Sequence, residues 1–304
     1  MFDYKLLGAL AAVVEQGGFE RAAQELGLSQ SAVSQRIKLL EARVGQPVLL
    51  RSTPPAATEV GQRLLNHVQQ VRLLEYDIQA QVPGLNDGSR PERLRIALNA
   101  DSLATWWAAA TGDFCRQTGM LLELVVEDQD VALKRMRLGD VAACLCAEQQ
   151  PMAGARSLSL GAMRYLALAS PDFMSRHLPN GINGPDLLKA PAVVFGPDDQ
   201  FQHRYLASLG YSGAFNYHLC PSSEGFMQLV QAGFGWGMLP EAQAREALAR
   251  GLLCELKPNH PVDVALYWHH WRNGSALMEQ LTRQLIQHAH SALLPVASVR
   301  ERRR

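Results

Sequence analysis

At 304 residues, 47% of them hydrophobic, the chain has room for two or three compact units. Its 29 basic and 29 acidic residues cancel, so bulk charge by itself announces no nucleic-acid or membrane partner. No apolar run approaches the ~20 residues that span a bilayer, and the N-terminus lacks a charged-then-apolar signal pattern, so a cytoplasmic location is expected.

In chain order, Leu6, Leu10, Val13 and Val14 repeat at helical spacing and stop at Gly17-Gly18, a natural helix end. Residues 19–41 then read FERAAQELGLSQSAVSQRIKLLE. Ala22, Ala23 and Leu26 mark one face of a short second helix. Gly27-Leu28 forces a turn, and Ser29 is a good N-cap for a third helix. Val33, Ile37 and Leu40 give that third helix one buried stripe. Ser31, Ser34, Gln35 and Lys38 fall on the opposite side, which is polar, short-chained and nearly free of acid. A helix entering a DNA major groove needs such a face, and the arrangement predicts a helix-turn-helix. The competing reading is an ordinary helical hairpin with a solvated face. From Ser29 to Arg51 there are four basic residues (Arg36, Lys38, Arg43, Arg51) against the single acid Glu41, so positive charge collects where phosphates would lie.

Gly45 ends the third helix, and PVLLRSTPPAAT (47–58) predicts a hairpin-like wing carrying Arg51. From Glu59 to about Val82 the residues Val60, Leu64, Val68, Val71, Leu74, Ile78 and Val82 repeat at threes and fours. So narrow a seam on so long a helix predicts packing against another helix, most simply its own copy; folding back on its own chain is the alternative. Pro83–Pro91 is a linker by composition. Beyond it, strand-like segments at 94–100, 121–128 and 141–148, with RYLALAS, APAVVFG, FNYHLCP and VALYWHH, alternate with helical ones. They predict two α/β lobes built on a mostly parallel, helix-covered sheet, with a cleft between them. Cys144 and Cys146, alternating in AACLCA, share one strand face. The five cysteines form no CxxC or Cys/His set with metal spacing, so reduced thiols and no structural zinc are expected. Trp268 in LYWHHW is better placed as core than as a cleft wall. The basic C-terminal VRERRR is taken as a tail.

The third helix nominates Gln30, Ser31, Ser34 and Gln35 for base edges, since glutamine pairs with adenine through two hydrogen bonds. Arg36, Lys38 and Arg51 are nominated for phosphates, and Thr58 for a backbone oxygen at the start of the next helix. Arg36 paired within the chain to Glu41 or Glu20 is the alternative.

The segment FERAAQELGLSQSAVSQRIKLLEARVGQPVLLR resembles the N-terminal signature of the LysR-type transcriptional regulators, and the resemblance runs over essentially the whole chain. More narrowly, the chain is similar to the ArgP/LysG (IciA-like) branch of that family. GFERAAQELGLSQSAVSQRIK, RSTPPAATEVGQ, LNADSLATWW (98–107), SPDFMSRHLPNG, LLKAPAVVF, SSEGFMQLV and LYWHHW carry that likeness. It implies an N-terminal winged helix-turn-helix (1–58), a linker helix and hinge used for dimerisation (59–90), and a periplasmic-binding-protein-like effector domain of two α/β lobes (91–304). It also implies double-stranded promoter DNA as partner, a homodimer or homotetramer, possible contact with RNA polymerase, and no cofactor. The effector would be lysine or arginine, and the target an exporter of such amino acids.

A cationic amino acid needs an anion receptor and carboxylates. Ser102 and Thr105 place hydroxyls near the free N–H groups of a helix start at the carboxyl edge of a strand, suited to the α-carboxylate. Plain capping by Asp101 or Ser102 is the alternative. Asp101, Glu127 and Asp128 end the first two strands of the two-lobed region. Their desolvation is costly unless a cation arrives, which favours lysine or arginine over neutral amino acids. Ser222, Ser223 and Glu224, after FNYHLCP, are candidates for the α-amino group. Nine histidines, including His269-His270, raise the question of an enzyme. Adjacent strand residues point to opposite faces, however, and no nucleophile elbow, H-x-x-x-H or Gly-rich phosphate loop accompanies them, so none is expected. A stand-alone solute-binding protein conflicts with the N-terminal segment. A nucleoid-type structural DNA binder, or a LysR-family member with a different ligand, remains as the alternative.

Overall fold

The computed structural model describes residues 2–50, 52–82, 93–127, 131–272 and 275–296. Arg51, Asp128 and the expected 83–91 linker lie outside them. Three helices, α1 (Tyr4–Glu15), α2 (Phe19–Glu25) and α3 (Gln30–Val44), pack around Leu6, Leu7, Leu10, Val13, Ala22, Val33, Ile37 and Leu40. Gly27, in the left-handed region, makes the turn between α2 and α3 that a side chain would oppose. Ser29 caps α3 by accepting the Ala32 N–H at 3.2 Å, and left-handed Gly45 closes it. The wing is a hairpin of β1 (Leu49–Leu50) and β2 (Ala56–Ala57).

Helix α4 (Glu59–Gln81) starts at the Thr58 cap. Its apolar seam has more than one occupant. Leu65 and Val68 are buried in the three-helix core, whereas Leu73 and Tyr76 pack against the core of the following unit. Leu74, Ile78 and Val82 stay exposed. The helix therefore folds back on its own chain and still leaves an apolar strip uncovered.

Next come β3 (Arg93–Leu98), α5 (Ala100–Ser102), a π-helical turn (Leu103–Trp107) and α6 (Ala108–Thr118), followed by β4 (Leu121–Val126), α7 (Ala132–Leu138) and β5 (Ala143–Cys146). The long β6 (Ala155–Ala169) leads to α8 (Pro171–His177), α9 (Gly184–Lys189), β7 (Ala192–Val194), α10 (Phe201–Ser208) and β8 (Tyr217–Leu219). The chain continues through α11 (Ser223–Gln231), β9 (Gly237–Pro240), α12 (Glu241–Ala249) and β10 (Cys254–Glu255), and ends in β11 (Val262–Trp271) and α13 (Ala276–Ala292).

The mostly parallel sheet expected from alternating strands and helices is only partly present. β3 pairs in parallel with β4 and β5, and β7 with β8. The main sheet is nevertheless mixed, with seven strands in the order β10-β6-β11-β5-β3-β4 and β9 attached to β6. The cause is the pair of long strands β6 and β11, which run antiparallel to each other. β11 joins the first lobe through β5, and the far end of β6 joins the second through β9 and β10. As expected, Cys144 and Cys146 share a face; they lie in a small core with Met136, while Leu145 faces the main core. Trp268 is fully buried and donates its indole N–H to Thr282 at 3.0 Å. Among the described residues no helix is long and apolar enough to cross a membrane, and no cluster of His, Cys, Asp or Glu is placed to hold a metal.

Gly61, the one glycine inside α4, marks its close approach to the wing, since a Cβ there would lie 2.0 Å from the Val48 carbonyl oxygen. Alanine is the better helix former by ~1 kcal/mol. Gly61→Ala should nonetheless lower stability by about 1–3 kcal/mol, because the displaced atom is backbone. Thermal unfolding of the wild type and the variant decides the sign.

Candidate functional sites

The exposed side of α3 carries Gln30, Ser31, Gln35 and Lys38, with Ser34 and Arg36 half-buried on its flanks. Ser31 shares a 2.9 Å hydroxyl contact with Ser29 at the helix start, which leaves the glutamine amides as the long polar groups of the face. Arg36 and Lys38 make no ion pair among the described residues, and Lys38 is exposed. The alternative pairing of Arg36 with Glu41 is not formed. The Glu41 carboxylate instead accepts the Val48 N–H at 3.0 Å, tying α3 to the wing. Arg43 is also engaged, with Asp3 at 3.2 Å. Thr58 departs from its expected role. Its hydroxyl accepts the Gly61 N–H and donates its single proton to the Pro47 carbonyl at 2.9 Å, so it holds the end of the wing on α4 and has no proton for an outside oxygen.

The second site is a cleft of about 770 Å³ between the lobes. The first lobe contributes the carboxyl ends of β3, β4 and β5: Asn99, Asp101, Glu127 and Glu148. The second contributes Asp198, Asp199, Gln202, Arg204, Tyr205 and Ser223. Tyr165 of β6 and Asp263 of β11 form the floor. Six carboxylates thus face one arginine across the walls. Some of that charge is already neutralised. Asp263 holds Arg164 through two bonds of 2.8 and 3.0 Å, and Glu127 is ion-paired with Arg135.

Among the described residues Asp101 has no cation. Its carboxylate accepts the Tyr165 hydroxyl at 2.8 Å and the Ser223 hydroxyl at 2.9 Å, so it bridges the two lobes. Burial pushes its pKa up against the pull of those two donors, and the nearby charge of Asp199 adds to the rise. Asp199 is fixed by the backbone N–H groups of Phe195 and Phe201, at 3.1 and 2.8 Å. Tyr165 is raised well above its usual value by burial and by Asp101. The Asn99 amide, Gln202 Oε1 and the Tyr205 hydroxyl line the cleft, are buried, and make no well-formed hydrogen bond among the described residues.

Of the residues expected to meet a ligand, Asp101, Glu127 and Ser223 line the cleft. Ser102 is fully buried behind the wall, and Thr105 turns back to donate to the Asp101 carbonyl at 2.6 Å. Ser102 is one 100° step from Asp101 and so faces the core, whereas Thr105, one turn further on, lies on the side of Asp101 but spends its proton within the helix. The same geometry makes Ser222 the cap of α11, accepting the Gly225 N–H, and sends Glu224 to solvent. Asn99, Glu148, Tyr165, Asp198, Asp199, Gln202 and Asp263 were not singled out by the sequence. Asp198-Asp199 follows a strand and a Gly-Pro, the same strand-end signal that found Asp101, and was legible on that rule.

A model of the bacterial regulatory helix-turn-helix protein, lysR family, matches residues 4–62, and one of the LysR substrate binding domain matches residues 87–290. The HTH-type transcriptional regulator ArgP of Pseudomonas fluorescens strain Pf-5 is 69% identical over 97% of this chain and 99% of its own. That of Pseudomonas aeruginosa PAO1 is 66% identical over 98% and 99%. Among solved structures, ArgP from Mycobacterium tuberculosis superposes with a TM-score of 0.83 at 36% identity, covering 97% of this chain and 100% of that one. Full-length LysG from Corynebacterium glutamicum with bound effector Arg gives 0.75 at 34% identity, with the same coverage. These relatives are transcriptional regulators rather than enzymes. With its helix-turn-helix unit and two-lobed α/β effector domain, the chain belongs to the LysR family of DNA-binding, effector-responsive transcriptional regulators.

Proposed function

We propose that the chain regulates an exporter of basic amino acids, or a related gene, in response to lysine or arginine. It would act in the cytoplasm as a homodimer or homotetramer, with RNA polymerase as a further partner. In this proposal residues 1–58 bind DNA, 59–90 link and dimerise, and 91–304 sense the effector. The carrying observation is the excess of carboxylates in the lobe–lobe cleft, with Asp101 and Asp199 holding no cation among the described residues. Lysine or arginine would supply that cation, and the free N–H groups at the start of α5, beside the unsatisfied Asn99 amide, would receive its carboxylate. A neutral amino acid leaves the carboxylates unpaired, so discrimination arises from the cost of burying them alone. The names of the ArgP relatives and the arginine in LysG support the same choice. Closure of the lobes on this guest would shift the population bound to DNA by the difference in affinity between states.

On DNA, Gln30, Ser31, Ser34 and Gln35 are assigned to base edges, Arg36, Lys38 and Arg51 to phosphates, and Thr58 to positioning the wing. Gln35→Ala should weaken binding to a selected operator by about 1–3 kcal/mol while leaving nonspecific affinity unchanged. A footprint identical to wild type removes Gln35 from the readers.

Calorimetry of the full chain against the twenty amino acids tests the effector. Arginine or lysine should bind, and Asp199→Asn should cost at least tenfold in affinity, the scale of one charge-assisted hydrogen bond. Binding by a different small molecule alone would overturn the assignment.

The raised pKa of Asp101 adds a pH signature. A cationic guest requires the ionised carboxylate, so binding expels the proton that burial favours. Arginine affinity should therefore weaken as pH falls through the raised pKa. In the same range, the heat should differ between buffers of different ionisation enthalpy.

A further inference from the structure

A single run of helix joins the cleft to the linker. α5, the π-helical turn and α6 are continuous from Ala100 to Thr118, about 28 Å at 1.5 Å per residue. Asp101, in its first turn, bridges the lobes. At its other end the Thr118 carbonyl accepts the Tyr76 hydroxyl of α4 at 2.5 Å. The next residue of α4 makes the second attachment. The Asp77 carboxylate accepts the N–H groups of Ala276 and Leu277, at 2.6 and 3.2 Å, at the start of α13. An acid there also meets the positive end of a 17-residue helix. α13 packs along α6, and Gln280 and Gln117 are bonded at 3.0 Å between the two. Adjacent residues of α4 thus hold the two helices that flank the first lobe's core.

α4 is anchored to the DNA-binding unit just as specifically. At its start Thr58 and Gly61 hold the wing, and in its second half Arg72, one turn before Tyr76, pairs with Glu15 of α1 at 2.7 Å. Neither Tyr76 nor Asp77 lines the cleft or lies on the α3 face.

We propose that Tyr76 and Asp77 are the joint through which effector occupancy reaches α4 and, with it, the DNA-binding unit. They are positioning residues: they touch neither ligand, and they fix how the α6–α13 pair is seated on the linker. A shift of α5 as the lobes close on a guest travels along the helix to Thr118. At that point it re-aims α4 through the Tyr76 bond and the Asp77 cap. The inference rests on the effector reading above.

Hydrogen exchange of the full chain, with and without saturating L-arginine, tests it. In the wild type, arginine should alter exchange in peptides from the cleft and also in peptides from 59–81. Tyr76→Phe alone, and Tyr76→Phe with Asp77→Ala, should keep arginine affinity within about threefold and confine the change to the cleft. On an operator selected by the wild type, the ratio of DNA affinities with and without arginine should fall toward one in both variants, since coupling is lost while each site remains. The proposal is overturned if both variants pass the change into 59–81 as the wild type does. It is equally overturned if the wild type binds arginine with no change there. A wild type that binds neither arginine nor lysine fails the effector reading instead, a result that calorimetry separates from the others. The single Tyr76→Phe change removes one oxygen, so it keeps the test open if the double variant does not fold.

Discussion

Charge that has been buried before its partner arrives is the constraint on which the cleft depends. Asp101 and Asp199 are drawn from opposite lobes, are held by hydroxyls and backbone N–H groups, and among the described residues have no cation between them. Hydrogen bonds of that kind orient a carboxylate but do not cancel its charge. At Asp101 burial therefore favours the protonated form, against the pull of its two hydroxyl donors. Glu127 and Asp263 show the contrasting solution, in which arginine of the same chain neutralises the acid permanently. Two kinds of carboxylate thus share one cavity, and only one kind has an electrostatic reason to respond to a ligand.

The DNA-binding unit was highly legible because its determinants are local. Helix periodicity, a serine cap and left-handed glycines specify α1 to α3 within some 40 residues, and the structure places Gln35 and Lys38 outward and Val33 and Ile37 inward as the spacing requires. Thr58 was legible as a helix start but not as a donor already committed, since its acceptor, Pro47, is eleven residues away and reached only through the wing.

The cleft was half legible. Strand-end acids can be read from sequence, and Asp101 was. Its neighbours Tyr165 and Ser223 lie 64 and 122 residues away, and only the long antiparallel strands bring them together. Those strands were misjudged for the same reason. A short apolar run such as RYLALAS has no directional signature, so parallel and antiparallel pairing look alike until the partner is known. At helix starts the sequence offers three polar residues in succession and no statement of which one faces the opening. Ser102, Ser222 and Glu224 each stand one step of 100° from a residue that lines the cleft, and Thr105 spends its proton on the Asp101 carbonyl.

Gly61 has a mechanical meaning beyond stability. With no side chain between them, α4 and the wing meet backbone to backbone, so a tilt of the helix carries the wing with it. The 23 residues of α4 span roughly 34 Å, so tilting one end by ~5° swings the other by about 3 Å. One base pair of duplex rises ~3.4 Å. Angular play too small to disturb the packing of either unit is thus enough to move the wing by about one base-pair step.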